Sequence, residues 1–296
     1  MGSLFVMTLA IAAAHRGVYM ENNWGFEELS PEQFREYTQK KKETDYLLID
    51  VRQPVEYTAG HIPGALLVPL MELESKLFEL PRDREMVFYC ASGSRARAAS
   101  ALVVDSEISD RSIYHLTGGI MAWDGKTLPG FPKVEVFDKG KDFAELLFKS
   151  MDLEKGAYRF YTYVQDTFGT ERFAKTIEHL VQAETAHART IYRFMREREP
   201  QLQPFESLFS ELEGEVLEGG ERLDDVLQRL VAIEENVCLN VLEMALDIEY
   251  SAYDLYRTMS EQTESTEAKR AFHSLAEAEK AHMRAIAEAI SHCPEL

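Results

Sequence analysis

Through the C-terminal half of the chain, apolar residues recur at helical spacing, and acids and histidines interrupt each stripe at one place. Phe143, Leu147 and Met151 lead into Glu154, Tyr158 and Tyr161. Phe173, Ile177 and Leu180 lead into Glu184 and His187, after which Ile191 and Phe194 resume the stripe. Further on, Ala268, Phe272 and Leu275 precede Glu279 and His282, and Ile286 follows. Residues three or four apart share a helix face, so these polar side chains point the same way as their apolar neighbours. The pattern predicts helices from near Lys141 to a turn at Gly169-Thr170-Glu171, onward to Arg198, from Leu223 towards Met259, and from Glu267 to Ile290. A polar crossover carrying Pro200, Pro204, Gly214 and Gly219-Gly220 separates the two pairs, with a short helix around Phe205–Leu212.

The N-terminal half alternates short buried strands with helices, the pattern of an α/β domain with a mainly parallel sheet. Strands are expected at Tyr46–Val51, Leu66–Val68 and Met86–Tyr89. A helix is expected after the capping sequence Ser30-Pro31-Glu32-Gln33. Another is expected over Ser94–Val104, with Ala96, Ala98 and Ala99 facing the sheet. The breakers Leu128-Pro129-Gly130-Phe131-Pro132 end this half, and Val134–Phe137 reads as a short linker strand. The chain divides into a tail (1–24), an α/β domain (25–137) and an all-α four-helix bundle (138–296).

The helical half is internally repeated. Glu154, Ala157, Tyr158 and Tyr161 return as Glu249, Ala252, Tyr253 and Tyr256, and Glu184-x-x-His187 returns as Glu279-x-x-His282, all offset by 95 residues. Four carboxylates and two imidazoles then interrupt the apolar seams at one level of the bundle. Burying bare carboxylates together is prohibitively costly, and two divalent cations would cancel their charge. One Glu from each of two helices plus Glu-x-x-His from each of the others is the ligand set of ferritin-like di-metal bundles. A solitary Glu-x-x-His is usually a solvated pair; six such residues in duplicated register are not. Tyr161 and Tyr256 read first as packing residues with satisfied hydroxyls, and second as partners of ligand carboxylates or redox groups.

In the first half, Cys90 follows a strand and precedes a helix, within Cys90-Ala91-Ser92-Gly93-Ser94-Arg95. A loop curling into a helix N-terminus aims N–H groups at the sulfur, the helix dipole adds positive potential, and Arg95 adds charge, all favouring a nucleophilic thiolate. Leu48-Ile49-Asp50-Val51-Arg52, Gly60-His61-Ile62-Pro63-Gly64-Ala65, this loop, and Gly118-Gly119 with Trp123 together resemble a single-domain rhodanese. The resemblance implies a sulfurtransferase in which Cys90 takes sulfur from a sulfane-sulfur donor, carries it as a persulfide, and passes it to a thiol or cyanide. Amides of Ala91, Ser92, Gly93, Ser94 and Arg95 would hold the anionic persulfide. Related phosphatases have five residues between Cys and Arg; the four here argue for sulfur. Asp50 and Arg52 read as braces, and His61 as a turn residue.

The helical half resembles the di-iron part of rubrerythrins. That implies two iron ions (manganese is the alternative) held by Glu154, Glu184, His187, Glu249, Glu279 and His282, with O2 or peroxide as co-substrate and a homodimer as the assembly. Two departures stand out. Rubrerythrins have another Glu three residues after the third-helix ligand, where this chain has Ala252. Their four-cysteine iron site also cannot be built from three scattered cysteines, so electrons would come from an external donor.

The formal charge is −19, and 138–296 hold 32 acidic against 18 basic side chains. Such a surface repels phosphate backbones and anionic membranes, so neither nucleic acid nor membrane is an expected partner. The three cysteines suit a reducing cytoplasm without disulfides, Cys238 reading as a small core hydrophobe and Cys293 as incidental. The apolar run Leu4–Ala14 is too short to span a bilayer and lacks preceding basic residues; it reads as an extended start or tail rather than an export signal. The expectation is a bifunctional sulfur and redox protein; the alternative is a sulfurtransferase fused to a non-catalytic metal-binding or dimerisation bundle.

Overall fold

The computed structural model describes residues 25–137 and 142–294, so the tail predicted over 1–24 lies outside the described residues, as does Lys141. Alternation along two central strands, β2 (Tyr46–Asp50) and β4 (Glu85–Tyr89), builds the first half. Leu47, Ile49, Met86, Phe88 and Cys90 enter one core, whereas Tyr46, Leu48, Val87 and Tyr89 enter the core on the other face. Both faces are covered, as a parallel sheet requires. With β1 (Glu27–Leu29), β3 (Leu66–Leu67) and β5 (Ile113–Leu116), the order is β1-β5-β4-β2-β3 with every pairing parallel. Helices α1 (Pro31–Lys40), α2 (Pro54–Ala59), α3 (Leu70–Lys76) and α4 (Ser94–Asp105) connect the strands, and α5 (Gly119–Ala122) follows β5. The predicted cap forms: Ser30 Oγ accepts from Gln33 N, and Gln33 Oε1 from Ser30 N. On α4, Ala96 and Ala99 are buried but Ala98 is exposed; Ser100 takes the inward place.

Val134–Phe137 forms a 3-10 turn, not the expected strand. The bundle follows: α6 (Phe143–Phe168), α7 (Ala174–Arg198), then α8 (Phe205–Glu211) in the crossover, and α10 (Val237–Gln262) and α11 (Thr266–Ser291). The single helix expected from Leu223 is broken. A short α9 (Leu223–Val231) ends, and Asn236, in left-handed conformation at φ 49°, turns the chain into α10. Nearby lies a second departure, since Cys238 at the start of α10 is disulfide-bonded to Cys293, with Cα atoms 5.7 Å apart. Sequence spacing did not reveal that the end of α11 returns to the start of α10. No helix among the described residues is long and apolar enough to cross a membrane.

The two halves are docked through buried polar groups. Glu43, in the loop before β2, is ion-paired with Arg257 at 2.9 Å and Lys280 at 2.7 Å and accepts from the Tyr253 hydroxyl at 3.0 Å. Arg84 forks onto Glu261 at 2.7 and 2.6 Å. Asp254 accepts from Gly64 N at 2.6 Å and meets His61 Nε2 at 3.1 Å. Removing one member of a buried ion cluster strands the others without compensation, typically at a cost of about 3–5 kcal/mol. Glu43→Ala is therefore expected to lower the stability of the full chain by about 3 kcal/mol in urea denaturation, with Glu43→Gln intermediate; an unchanged midpoint would contradict this account of the docking.

Candidate metal centre and cysteine loop

Each bundle helix changes character at one level. On α6, Leu147, Met151 and Leu153 lie in one apolar cluster and Phe160, Tyr161 and Val164 in another, with Glu154 between them. The same division falls at Glu184 and His187 on α7, Glu249 on α10, and Glu279 and His282 on α11. A polar layer thus splits the bundle core, and its six side chains are at most 9% exposed.

The structure brings together all six residues expected from the repeat. His187 Nδ1 lies 3.1 Å from Glu154, and 3.5 Å from both Glu184 and Glu279. His282 Nδ1 lies 3.0 Å from Glu249, 3.1 Å from Glu279 and 3.4 Å from Glu184. The imidazoles stack with centroids 4.7 Å apart. Glu184 and Glu279 therefore approach both imidazoles, while Glu154 and Glu249 each approach one. Three overlapping groups have potential donor atoms within 4.8 Å of one another: Glu184/His187/His282, Glu154/His187/Glu279 and Glu249/Glu279/His282. Two central carboxylates between two terminal carboxylate–imidazole sets suit a bridged pair of cations. The tyrosines take the second of the roles weighed for them: the Tyr256 hydroxyl donates to Glu154 at 2.6 Å and Tyr161 to Glu249, each reaching the other copy of the repeat.

With protons as its only counter-charges, the layer divides its ionisation. Burial raises Glu184 to about 8, and burial together with the Glu249 carboxylate pushes Glu279 well above the usual range. Burial opposes ionisation of Glu249 as well, but His282, Glu279 and Tyr161 outweigh it and bring Glu249 down to about 2. Glu154 is likewise lowered, His187 overcoming burial. Burial disfavours both imidazolium ions, yet the carboxylates around them raise His187 well above its ordinary value and His282 to about 9.

In the first half, β4 delivers Cys90 to the α4 face of the sheet, and the chain curls through Gly93 at φ 98° into α4. The Gly93 N–H donates to Cys90 Sγ at 3.1 Å. Gly119 packs against the loop's backbone, where an added Cβ would stand 2.3 Å from Cys90 O; Ile120 N and Met121 N donate to Cys90 O and Ala91 O. Cys90 is fully buried, whereas Ser92 and Ser94 are exposed and Ala91 is half-buried. Arg95 does more than face the sulfur, since its guanidinium forks onto Glu56 of α2 at 2.7 Å on both arms. That bond holds Glu56 down at about 2. Asp50 and Arg52 pair with each other rather than with the cysteine loop, and Arg52 also donates to Gly60 O. His61 bridges backbone to Leu128 as a turn residue would, but its ring also stacks on Tyr57 at 3.9 Å and reaches Asp254 of the bundle.

A Rhodanese-like domain profile matches residues 30–126, and a Rubrerythrin profile matches 145–229 and 240–294. The chain joins a rhodanese-like domain to a rubrerythrin domain. The gap in the rubrerythrin match spans the break between α9 and α10 and includes Cys238. A sulfurtransferase of Allochromatium vinosum is 39% identical over 85 residues, covering 29% of this chain and 78% of that protein. The probable adenylyltransferase/sulfurtransferase MoeZ of Mycobacterium tuberculosis is 39% identical over 103 residues, 34% of this chain but 25% of its own length. Among solved structures, a rhodanese-related protein from Thermoplasma volcanium is 26% identical and covers 35% of this chain and 98% of that one, with a TM-score of 0.31.

Sequence reading missed Glu56, a helix-capping residue that also pairs with Arg95, and Glu218, a buried carboxylate that feels Glu154, Glu184 and Glu249. Any cation bound in the polar layer would compete with protons for the same groups, since bound ligands must be deprotonated. Glu184 at about 8 and His282 at about 9 lie above neutrality, so lowering the pH fills these positions with protons. Mn2+ affinity of the full chain is expected to climb between about pH 6 and about pH 9, with proton release on binding that calorimetry in buffers of different ionisation enthalpy detects. Affinity independent of pH would contradict this.

Proposed function

We propose that the chain is a two-site sulfur and redox enzyme: a persulfide-forming sulfurtransferase at Cys90 and a di-iron oxidoreductase centre in the bundle. The observation that carries the second site is the overlap of three donor groups through Glu184, Glu279 and the two imidazoles. Two iron ions held by Glu154, Glu184, His187, Glu249, Glu279 and His282 would supply electrons for reduction of O2 or peroxide, and manganese suits the same donors. Glu184 and Glu279, which approach both imidazoles, and Glu154 and Glu249, which approach one each, would hold the pair together with the histidines. Tyr256 and Tyr161 orient the terminal carboxylates, and the apolar clusters on either side exclude water.

At the first site, the Cys90 thiolate attacks the outer sulfur of a donor such as thiosulfate. The donor's S–S bond breaks, sulfite departs with the electron pair, and Cys90 carries the sulfur as a persulfide. A thiolate or cyanide then attacks the terminal sulfur, and Cys90 leaves as thiolate, giving a new persulfide or thiocyanate. The Gly93 N–H stabilises the negative charge on Sγ whenever Cys90 is the leaving group, and Ile120 N and Met121 N hold the Cys90 and Ala91 carbonyls. Arg95, fixed by Glu56, adds fixed positive charge beside the loop.

The two sites separate by mutation. Cys90→Ser is expected to abolish thiosulfate:cyanide transfer, by at least about a thousandfold as for loss of a nucleophile, while leaving two metal ions per chain. Glu184→Ala with Glu279→Ala is expected to remove bound metal and O2 consumption while transfer at Cys90 persists. Metal content unaltered by the double substitution would leave the bundle a scaffold. Metal retained without O2 or peroxide turnover would leave it a binding module.

A further inference from the structure

Between α8 and α9 the crossover folds into a small hairpin. Val216 pairs with Arg222, Leu217 N donates to Glu221 O at 3.0 Å, and Gly220 N donates to Leu217 O at 2.8 Å, closing a turn over Glu218 and Gly219. This tip is pressed between two helices of the polar layer. On one side, a Cβ added at Gly156 of α6 would stand 2.8 Å from Val216 O; on the other, one added at Gly219 would stand 3.4 Å from Ser251 of α10. Those contacts fall two residues beyond Glu154 and two beyond Glu249. Asp152 accepts from Gly214 N, and Arg159 donates to Glu213 O, fastening the hairpin's base to α6.

Glu218 sits at the tip and is 2% exposed. Its Oε2 has no hydrogen-bond partner, the only such carboxylate oxygen among the buried side-chain atoms of the described residues. The charged groups nearest in effect are Glu154, Glu184 and Glu249, and Tyr256 feels Glu218 alongside Glu154 and Glu279. No cationic side chain is among these influences. A hydrogen bond from its own backbone is the one influence favouring its charged form; Oε2 has no donor, and the cations that the layer suits would be a partner for it.

We propose that Glu218 is an additional carboxylate ligand of the metal pair, supplied by the crossover hairpin rather than by a bundle helix. The inference rests on the di-metal reading of the bundle. It makes the centre asymmetric, because the hairpin lies between the two copies of the repeat and leans on Gly156 of one and Ser251 of the other.

The test is Glu218→Gln in the full chain, which keeps shape and removes charge. Loss even of an outer partner of a metal ligand lowers affinity on the order of 10–100-fold, so at least about a tenfold weaker binding of one of two Mn2+ ions is expected in calorimetric titration. The Mn2+ electron paramagnetic resonance spectrum is expected to change with it. The metal-free variant should melt no lower than the metal-free wild type, because only an unpaired buried group has been neutralised. Two Mn2+ ions bound with wild-type affinity and an identical spectrum would overturn the proposal, as would a metal-free variant that has lost its fold. A wild-type chain that binds no Mn2+ pair removes the di-metal reading itself; a pair bound equally by both chains removes only this inference.

Discussion

Like-charged carboxylates about 4 Å apart repel by about 4 kcal/mol even at an effective dielectric near 20, and the bundle buries four of them at one level. Everything around that layer answers this repulsion. Two imidazoles stand between the acids, two tyrosine hydroxyls donate to the outer pair, and the apolar core is cut in two so that no hydrophobic side chain intrudes. The electrostatics of the protein groups alone need protons on both imidazoles and on the two central acids. The layer therefore calls for compensating positive charge, which protons supply among the protein groups alone and which bound cations would supply in their place.

The duplication explains how one such layer is made from a single helix pair, and also how its two sides diverged. At the offset of 95 residues, Tyr158, Arg159, Thr162 and Thr185 of the first copy correspond to Tyr253, Asp254, Arg257 and Lys280 of the second. In the first copy, Tyr158 packs on Phe209 and Arg159 bonds Glu213 O, so this side is covered by the crossover. In the second copy, the corresponding positions receive Glu43, His61 and Gly64 of the rhodanese-like domain. Equivalent faces of the repeat thus took different covers, and substitutions at three of these four corresponding positions record which cover each one meets.

Residues whose role follows from a repeated spacing or a local loop were legible in the sequence. The six polar-layer residues share one helix face per copy, and Cys90 follows from a strand running into a helix. What was not legible depends on contacts between distant segments. The Cys238–Cys293 disulfide spans 55 residues and joins two helix ends whose approach no periodicity encodes. Arg95 looked like a partner for sulfur because Glu56 lies 39 residues away on another helix. The break before α10 lacks proline or glycine; Asn236 makes it, and asparagine tolerates left-handed backbone without announcing it. Glu218 was hidden among the acidic residues of a crossover with no apolar stripe to orient it.

The docking of the two domains is fixed by ionic and hydrogen-bonded groups rather than by a broad apolar seam, which bears on orientation more than on strength. Buried ion pairs largely return in Coulomb attraction what they lose in desolvation, but a misplaced approach would leave Glu43 without its two cations and Arg257 and Lys280 with only their longer contacts to Glu261 and Glu277. Asp254 adds a second requirement, because its carboxylate accepts from Gly64 N and faces His61 at once. A Cβ at Gly64 would strike the Tyr253 ring at 2.8 Å, so this turn admits only glycine against α10. That turn follows Gly60, whose carbonyl receives Arg52, which in turn braces Asp50 at the end of the strand beside β4. Few alternative poses satisfy all of these at once, so the strand edge that presents Cys90 and the helix that carries Glu249 are held in one defined relation.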